Sequence, residues 1–134
     1  MQVKEYLSIL LELFSRNPYI KNQNINFEER APDAGVIKGT VTFIDDSSLH
    51  LKQFFIIRPD GINILKYGYH YTTKDKDLIF RYDNAADPDA KPFSTYPSHK
   101  HTSNGIKEAN RPDIKQVFDE ISHKISQSLP SKGS

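Results

Sequence analysis

Apolar residues recur at every second position in several runs between residues 23 and 83. A period of two is typical of strands that bury one face and expose the other. Turn-forming residues separate the runs. The strongest turn signal is Pro59-Asp60-Gly61, because proline fixes φ and glycine accepts a left-handed conformation. Since the connections are short, the sequence predicts consecutive hairpins and therefore an antiparallel meander of about five strands.

Two segments with helical spacing flank the strand region. The first begins near Val3 and is stopped by Asn17-Pro18, because a residue before proline avoids the α conformation. The second begins at Pro112, whose missing N–H suits the first helical position, and Asp113 adds a charge that suits the helix dipole. Its apolar stripe consists of Ile114, Val117, Phe118, Ile121, Ile125 and Leu129. We therefore predict an α+β domain with N- and C-terminal helices packed on one face of the sheet.

Residues 84–105 show no hydrophobic period and contain Pro88, Pro92 and Pro97. Structureless segments of this length are uncommon in compact domains and are usually functional or mobile. We therefore predict a long functional loop between the last strand and the second helix. Residues 130–134 are expected to fray. The length of 134 residues fits a single domain that spans residues 1–134.

The composition excludes several classes of protein. With 18 basic and 17 acidic residues, no global field points to nucleic acid or a membrane, so such contact would need a local patch. The absence of cysteine excludes disulfides and thiolate chemistry. The N-terminal apolar run is too short and interrupted for a signal peptide or a membrane span. We expect a soluble, cytoplasmic protein without membrane contact.

The hairpin around residues 74–77 carries the most informative local pattern. A loop of two or four residues places His70 opposite Arg81 and Gly68 opposite Asp83 on one face. These polar groups are either a functional cluster or an ordinary cross-strand pair with a capping carboxylate. The aromatic residues of the hairpin are Tyr67, Tyr69, Tyr71, Phe80 and Tyr82. They are expected to form core beneath a helix rather than a platform for stacking bases.

A second candidate cluster lies in the predicted loop, at Ser98-His99-Lys100-His101. In an extended segment His99 and His101 project to the same side, with Cα atoms about 6.6 Å apart. Two imidazoles at that spacing suit a shared metal ion or an acid–base pair, since histidine titrates near neutral pH. A solvated loop is the simpler alternative. His50 and His123 are assigned structural roles.

Three runs in order are distinctive: Tyr69-His70-Tyr71, residues 78–85 and residues 93–101. Together they resemble the TumE family, small prokaryotic proteins classed as toxins of toxin–antitoxin pairs. The similarity extends from the first helix to about Ile125. The chain departs from the family pattern at Ala86-Asp87-Pro88 and Ser98, where the family has histidines, and at Gln53, where it has glutamate.

The resemblance implies a toxin that is neutralised by a cognate antitoxin. Small toxins of this kind most often attack RNA, so it also implies an endoribonuclease. His70 or His99 would remove the 2′-hydroxyl proton, and His101 would protonate the leaving 5′-oxygen. Arg81 and Lys100 would stabilise the charge that builds on the phosphate.

The remaining intact residues of the pattern would support this chemistry. Asp83 would orient a histidine, and Asn84 would hold the loop or donate to the phosphate. We expect the substrate to bind Asn84, Lys91, Lys107 and Arg111. The three basic residues of this group belong to the best local set of positive charges, which lies in the loop region.

Two alternatives to this interpretation remain. One is a binding module without catalysis, which grips a partner protein or nucleic acid. The other is a divalent-metal nuclease centred on Asp83, His99 and His101, whereas the leading interpretation needs no cofactor. The expected partners are the antitoxin and RNA. An exposed sheet edge would also allow pairing with a second copy of the chain.

Overall fold

The computed structural model describes residues 1–129. Helix α1 (Val3–Arg16) is followed by the strands β1 (Ile20–Ala31), β2 (Ala34–Phe43), β3 (Ser48–Arg58), β4 (Gly61–Thr72) and β5 (Leu78–Asp83). A 3-10 helix (Pro88–Ala90), the strands β6 (His99–Thr102) and β7 (Gly105–Glu108) and helix α2 (Ile114–Ser128) complete the chain. The tail predicted at residues 130–134 lies outside the described residues.

The strands form one antiparallel sheet in chain order, β1 to β7. The α+β fold and the meander are confirmed, but the number of strands is seven rather than about five. The two additional strands, β6 and β7, arise within and directly after the segment predicted to be a loop. Backbone pairing does not require apolar side chains, and the residues of β6 are polar on both faces. These short strands therefore leave no period-two signal in the sequence.

Helix α2 begins two residues later than the sequence predicts, at Ile114 instead of Pro112. Asp113 is its N-cap, because the Asp113 carboxylate accepts a hydrogen bond from the backbone N–H of Gln116 at 2.8 Å. The Gln116 side chain accepts in return from the backbone N–H of Asp113 at 2.9 Å. This reciprocal capping box satisfies two free donors at the helix start. Pro112 therefore precedes the cap instead of occupying the first helical position.

Both helices pack on the same face of the sheet, as predicted. Tyr6 of α1 contacts Phe55 of β3 edge to face, and Phe118 of α2 contacts both Phe14 and Phe43 in the same manner. The aromatic ladder of β4 and β5 is buried beneath them, with Tyr69 and Phe80 almost fully enclosed. The ladder is therefore core, and the opposite face of the sheet carries charged and polar residues together with some apolar ones, such as Phe54 and Ile106. We call this opposite side the open face.

A β-bulge in β4 decides which residues reach the open face. The pairing of β3 with β4 shifts between Phe54 and Phe55, because Phe54 faces Lys66 while Phe55 faces Ile64. Leu65 is the extra residue. Side chains alternate along a strand, so the insertion moves apolar positions from even numbers to odd numbers.

Candidate functional site

The register predicted for the β4–β5 hairpin is confirmed. His70 pairs with Arg81 and Gly68 pairs with Asp83. Strand β6 extends both pairs, because Arg81 also pairs with His101 and Asp83 with His99. The result is two parallel cross-strand rows of polar residues on the open face.

The first row crosses six strands and contains three histidines and an arginine. Its members are Thr40, His50, His70, Arg81, His101 and Ile106. The rings of His50 and His70 have centroids 6.3 Å apart, and Oγ1 of Thr40 lies 3.0 Å from Nδ1 of His50. From the sequence, His50 is predicted to have a structural role, but the structure places it beside His70.

Asp83 is the centre of a hydrogen-bonded cluster in the second row. Its Oδ2 accepts from Nε of Arg81 at 2.9 Å, and its Oδ1 accepts from the backbone N–H of Ala85 at 3.0 Å. Nε2 of His99 lies 3.1 Å from the same Oδ1, while Nδ1 of His99 is 2.8 Å from the carbonyl oxygen of Pro97. Asp83 and His99 are both buried. These contacts hold the Arg81 guanidinium in place next to the histidine row.

His101 completes the cluster from the first row. We call the group formed by Arg81, Asp83, His99 and His101 the Arg81 cluster. Its ring meets that of His99 edge to face, with centroids 4.8 Å apart. Nε2 of His101 is buried and makes no hydrogen bond to any of residues 1–129, and its closest acidic neighbour is Oδ2 of Asp87 at 3.7 Å. One ligand atom each from Asp83, His99 and His101 lies within 4.8 Å of the others, so these residues are the candidates for holding a metal ion.

Residues 84–98 cover the β6–β7 end of the open face. Asp87 approaches His101, and the backbone N–H of Ser94 donates to Oε1 of Glu108 at 2.7 Å. The sequence predicts that His99 and His101 lie in a long functional loop. Instead, His99 and His101 lie in the sheet, because β6 pairs with β5, and residues without imidazoles cover them.

The environment lowers the pKa of both partly exposed histidines of the row. For His70, burial contributes most, followed by the positive charge of Arg81 and the neighbouring His50. For His101, burial again comes first, followed by Arg81 and His99, and the nearby carboxylates oppose the effect. Both imidazoles are therefore more fully neutral at pH 7 than an ordinary histidine.

Lys100, which the resemblance implies would act with Arg81 on the phosphate, lies on the other face of the sheet. Side chains alternate along β6, so Lys100 points to the helices. Its Nζ donates to Oε2 of Glu120 at 3.1 Å and lies 4.7 Å from the centroid of the Tyr82 ring. Lys100 therefore fastens β6 to α2 and does not reach the Arg81 cluster.

The residues predicted to bind substrate are also dispersed. Lys107 pairs with Lys100 and so shares its face, and Arg111 lines a cleft beside Tyr6 on the helix side. Asn84 binds the backbone of β4 through its side-chain amide, which accepts from Tyr67 N and donates to the Leu65 carbonyl. Lys91 is exposed after the 3-10 helix.

Sequence reasoning missed a group of lysines on the open face. Lys38, Lys52 and Lys66 are exposed, and none forms an ion pair within residues 1–129. Lys38 pairs with Lys52 across the sheet, and Lys52 pairs with Gly68, which is itself opposite Asp83. We call these three lysines the basic track. Two shallow concavities share Lys52 and Lys66, and one of them extends to Asn84. The alternation of side chains along β3 was a signal that could have placed Lys52 on the open face. The face that Lys66 occupies depends on the bulge at Leu65.

Gln53 lies far from the cluster, on the helix face. Its side chain is buried between the hydroxyl groups of Tyr6 and Tyr69. A glutamate at this position would point to α1 and away from the open face. The departure at Gln53 therefore leaves the Arg81 cluster unchanged.

The profile of the family described as toxin TumE matches residues 10–129, and the chain belongs to this family. Membership indicates a toxin of a toxin–antitoxin system and implies an antitoxin partner. Comparison with curated proteins and with solved structures gave no significant match. None of the helices in residues 1–129 is long and apolar enough to cross a membrane.

Proposed function

We propose that this toxin is an endoribonuclease that works by histidine acid–base catalysis on the open face. The observation that carries the proposal is the row in which Arg81 pairs with His70 on one side and with His101 on the other. Neighbouring strands lie about 4.8 Å apart, so the two histidines stand roughly 10 Å apart with the guanidinium between them. A phosphodiester bound over Arg81 would have an imidazole on each side.

Arg81 is suited to bind the phosphate. Its Nε donates to Asp83, which fixes the plane of the guanidinium and leaves the terminal N–H groups for a phosphate oxygen. Asp83 is fixed in turn by Ala85 N and by His99. We assign His99 a positioning role, since it is only 1% exposed and cannot touch a substrate.

His70 is the proposed general base. Its lowered pKa keeps the imidazole neutral at pH 7, so it can accept the 2′-hydroxyl proton. The 2′-oxygen then attacks phosphorus, the bond from phosphorus to the 5′-oxygen breaks, and a 2′,3′-cyclic phosphate remains. His101 is the proposed acid and donates to the leaving 5′-oxygen from Nδ1, because its Nε2 is buried. The negative charge of a bound phosphodiester raises the proton affinity of His101 in the complex.

The basic track supports RNA as the substrate. The formal net charge of the chain is only +1, yet three lysines that form no ion pair with any of residues 1–129 gather on the face that carries the cluster. Gly68 lies between Lys52 and Asp83 in the same cross-strand row, and it has no side chain to block a polynucleotide. Proteins commonly bind single-stranded nucleic acids in a positively charged groove that follows the sugar–phosphate backbone.

The decisive experiment is RNA cleavage by purified protein. Loss of one acid or base costs about 10²–10⁴-fold in rate, so His70→Ala and His101→Ala should each lose at least about 100-fold. His123→Ala is the matched control, because His123 is on α2, away from the open face. Equal activity of all three variants would overturn the assignment. Binding of RNA without cleavage by the wild type would identify a binding module instead.

The nucleophile can be tested through the substrate. A 2′-deoxy nucleotide at the cleaved position should block the reaction, since the attacking oxygen is then absent. Cleavage that tolerates this change would rule out the proposed mechanism. In cells, induced expression should arrest bacterial growth, and the antitoxin should restore it. The His70→Ala variant should no longer arrest growth.

A further inference from the structure

We propose that Asp83, His99 and His101 form a binding site for a divalent transition-metal ion, with Zn²⁺ as the best fit. Their ligand atoms lie within 4.8 Å of one another. The site would bind its ion whether or not the protein cleaves RNA. An ion on Nε2 of His101 would take the place of the proton that the proposed acid needs, so cleavage by the proposed mechanism would require the metal-free form.

The protonation of His99 gives the first reason. The Pro97 carbonyl can only accept a hydrogen bond, so Nδ1 of His99 carries the proton in the 2.8 Å contact between them. In a neutral ring, Nε2 then presents a lone pair to Oδ1 of Asp83, 3.1 Å away. Two acceptors at this distance need a proton or a cation between them. A backbone carbonyl that fixes the other nitrogen is also the usual outer partner of a metal-bound histidine.

The environment of His101 distinguishes between a proton and a metal ion at this position. A proton between His99 and Asp83 would leave Nε2 of His101 buried without any hydrogen bond, as it is among residues 1–129. A buried polar atom without a partner is costly. A metal ion takes lone pairs from all three residues at once and therefore satisfies His101 as well.

The geometry requires only small movements. Zinc–nitrogen and zinc–oxygen bonds of about 2.0–2.1 Å in a tetrahedron put ligand atoms about 3.3 Å apart. The three atoms are at most 4.8 Å apart, so shifts on the order of 1 Å close the site. His99 and His101 are two residues apart on one strand and share a face, and their rings are inclined by 82°.

The surrounding charges fit a divalent ion. Asp83 and Asp87 contribute two negative charges and Arg81 one positive charge, so the local sum before binding is −1. Oδ2 of Asp87 lies 3.7 Å from Nε2 of His101 and is placed to act as a fourth ligand or to hold a bound water. Two imidazoles with one or two carboxylates favour Zn²⁺, Fe²⁺ or Ni²⁺ over Ca²⁺ and Mg²⁺, which prefer oxygen ligands.

The consequence would be structural. Asp83 ends β5, both histidines belong to β6, and Asp87 belongs to the covering segment at residues 84–98. An ion at this point would join β5 to β6 and to the covering segment, and the last two carry little hydrophobic signal in the sequence.

The test is a titration of chelator-treated protein with Zn²⁺ by calorimetry, with Co²⁺ as a spectroscopic probe of nitrogen ligation. We expect one equivalent to bind and the thermal transition to move upward. His101→Ala and Asp83→Asn should lose more than about 100-fold in affinity, and Arg81→Gln, an outer partner, about 10–100-fold. His50→Ala and His123→Ala should bind as the wild type does.

Two outcomes would overturn the proposal. One is the absence of stoichiometric binding by the wild type, which would leave a proton between His99 and Asp83. The other is unchanged binding by His101→Ala. A thermal melt of each metal-free variant shows whether it is folded, and His101→Gln serves as the second variant if His101→Ala is not. No RNA is present, so neither outcome bears on the proposed cleavage.

Discussion

His99 and Asp83 are cross-strand partners on β6 and β5, and Nε2 of His99 lies 3.1 Å from Oδ1 of Asp83. The contact is buried and joins a motif of the predicted loop to a motif of the predicted hairpin. It places the two histidines of β6 next to Arg81. The cluster is thus a product of strand pairing between segments that are about 16 residues apart, within the reach of a short connection.

The pH dependence of His70 is the first prediction. Burial, Arg81 and His50 lower its pKa, so an NMR titration should give a value below the ordinary 6.5. Arg81→Gln should raise that pKa, because it removes the largest charge effect. A pKa at or above 6.5 in the wild type would contradict the environment described for His70.

The same shift has a consequence for stability. When the folded pKa of a histidine is lowered, the unfolded chain binds more protons between the two values, so the free energy of unfolding rises with pH in that window. Stability should therefore fall as the pH drops below about 6.5. Urea denaturation at pH 7 and pH 5 should show a smaller difference for His70→Asn than for the wild type. An equal or larger difference in stability for His70→Asn would show that His70 does not contribute to the pH dependence of stability.

The basic track predicts a salt-dependent affinity for RNA. Each phosphate contact to a single strand contributes about 0.7 to the slope of log affinity against log salt. Lys52→Ala and Lys66→Ala should each weaken binding and reduce that slope by about this amount. Fluorescence anisotropy with a labelled single-stranded RNA measures both quantities.

Lys115→Ala is the matched control for the track. Lys115 is exposed on α2 and pairs with Asp119 at 2.8 Å, so its removal takes away the same charge from the helix side. Equal weakening by Lys115→Ala would show that RNA does not follow the open face.

Tyr6→Phe should destabilise the fold without changing activity. The Tyr6 hydroxyl donates to Oε1 of Gln53, which is buried, and burial raises the pKa of Tyr6 to about 12. Removing the donor leaves a buried acceptor unpaired, which costs about 1–3 kcal/mol. Chemical denaturation measures the change. Tyr96→Phe, at an exposed tyrosine, is the control and should have little effect.

Gly39→Ala should disrupt the pairing of β1 with β2. A Cβ at this position would collide with the Asn24 carbonyl oxygen and lie 2.7 Å from Cα of Ile25, both backbone atoms of β1. Overpacking of this kind costs about 1–3 kcal/mol, and rigid backbone places the change at the upper end. Gly68→Ala is the control, since the nearest atom is 4.0 Å away. Similar melting temperatures for the two variants would contradict the close approach at Gly39.

Local features determined much of the site. The sequence predicted that His70 faces Arg81 and Gly68 faces Asp83, and both pairs are present, although the register shifts by one residue between Tyr71 and Thr72 beside the turn. A short turn fixes the pairing of the strands beside it, and alternation then sorts the side chains by face. The same reasoning predicted the aromatic core face and the two amphipathic helices.

The separation of Lys100 from Arg81 has a simple origin. In a loop, Lys100 could turn to the same side as His99 and His101. In a strand it must alternate with them, and β6 is a strand only because β5 offers it an unpaired edge. The unpaired edge of β5 exists only in the tertiary structure, and the polar residues of β6 give no local indication of it.

The sequence by itself determined the helices, the meander through β5 and the face of each hairpin residue, because these follow from periodicity and turn chemistry within a few residues. Only the tertiary structure placed His99 and His101 beside Arg81 and aligned Lys66 with the open face. The first needs β6 to pair with an edge strand, and the second needs the bulge at Leu65 to shift the alternation. Both depend on backbone hydrogen bonding between strands, which is indifferent to side-chain type and leaves little trace in the sequence.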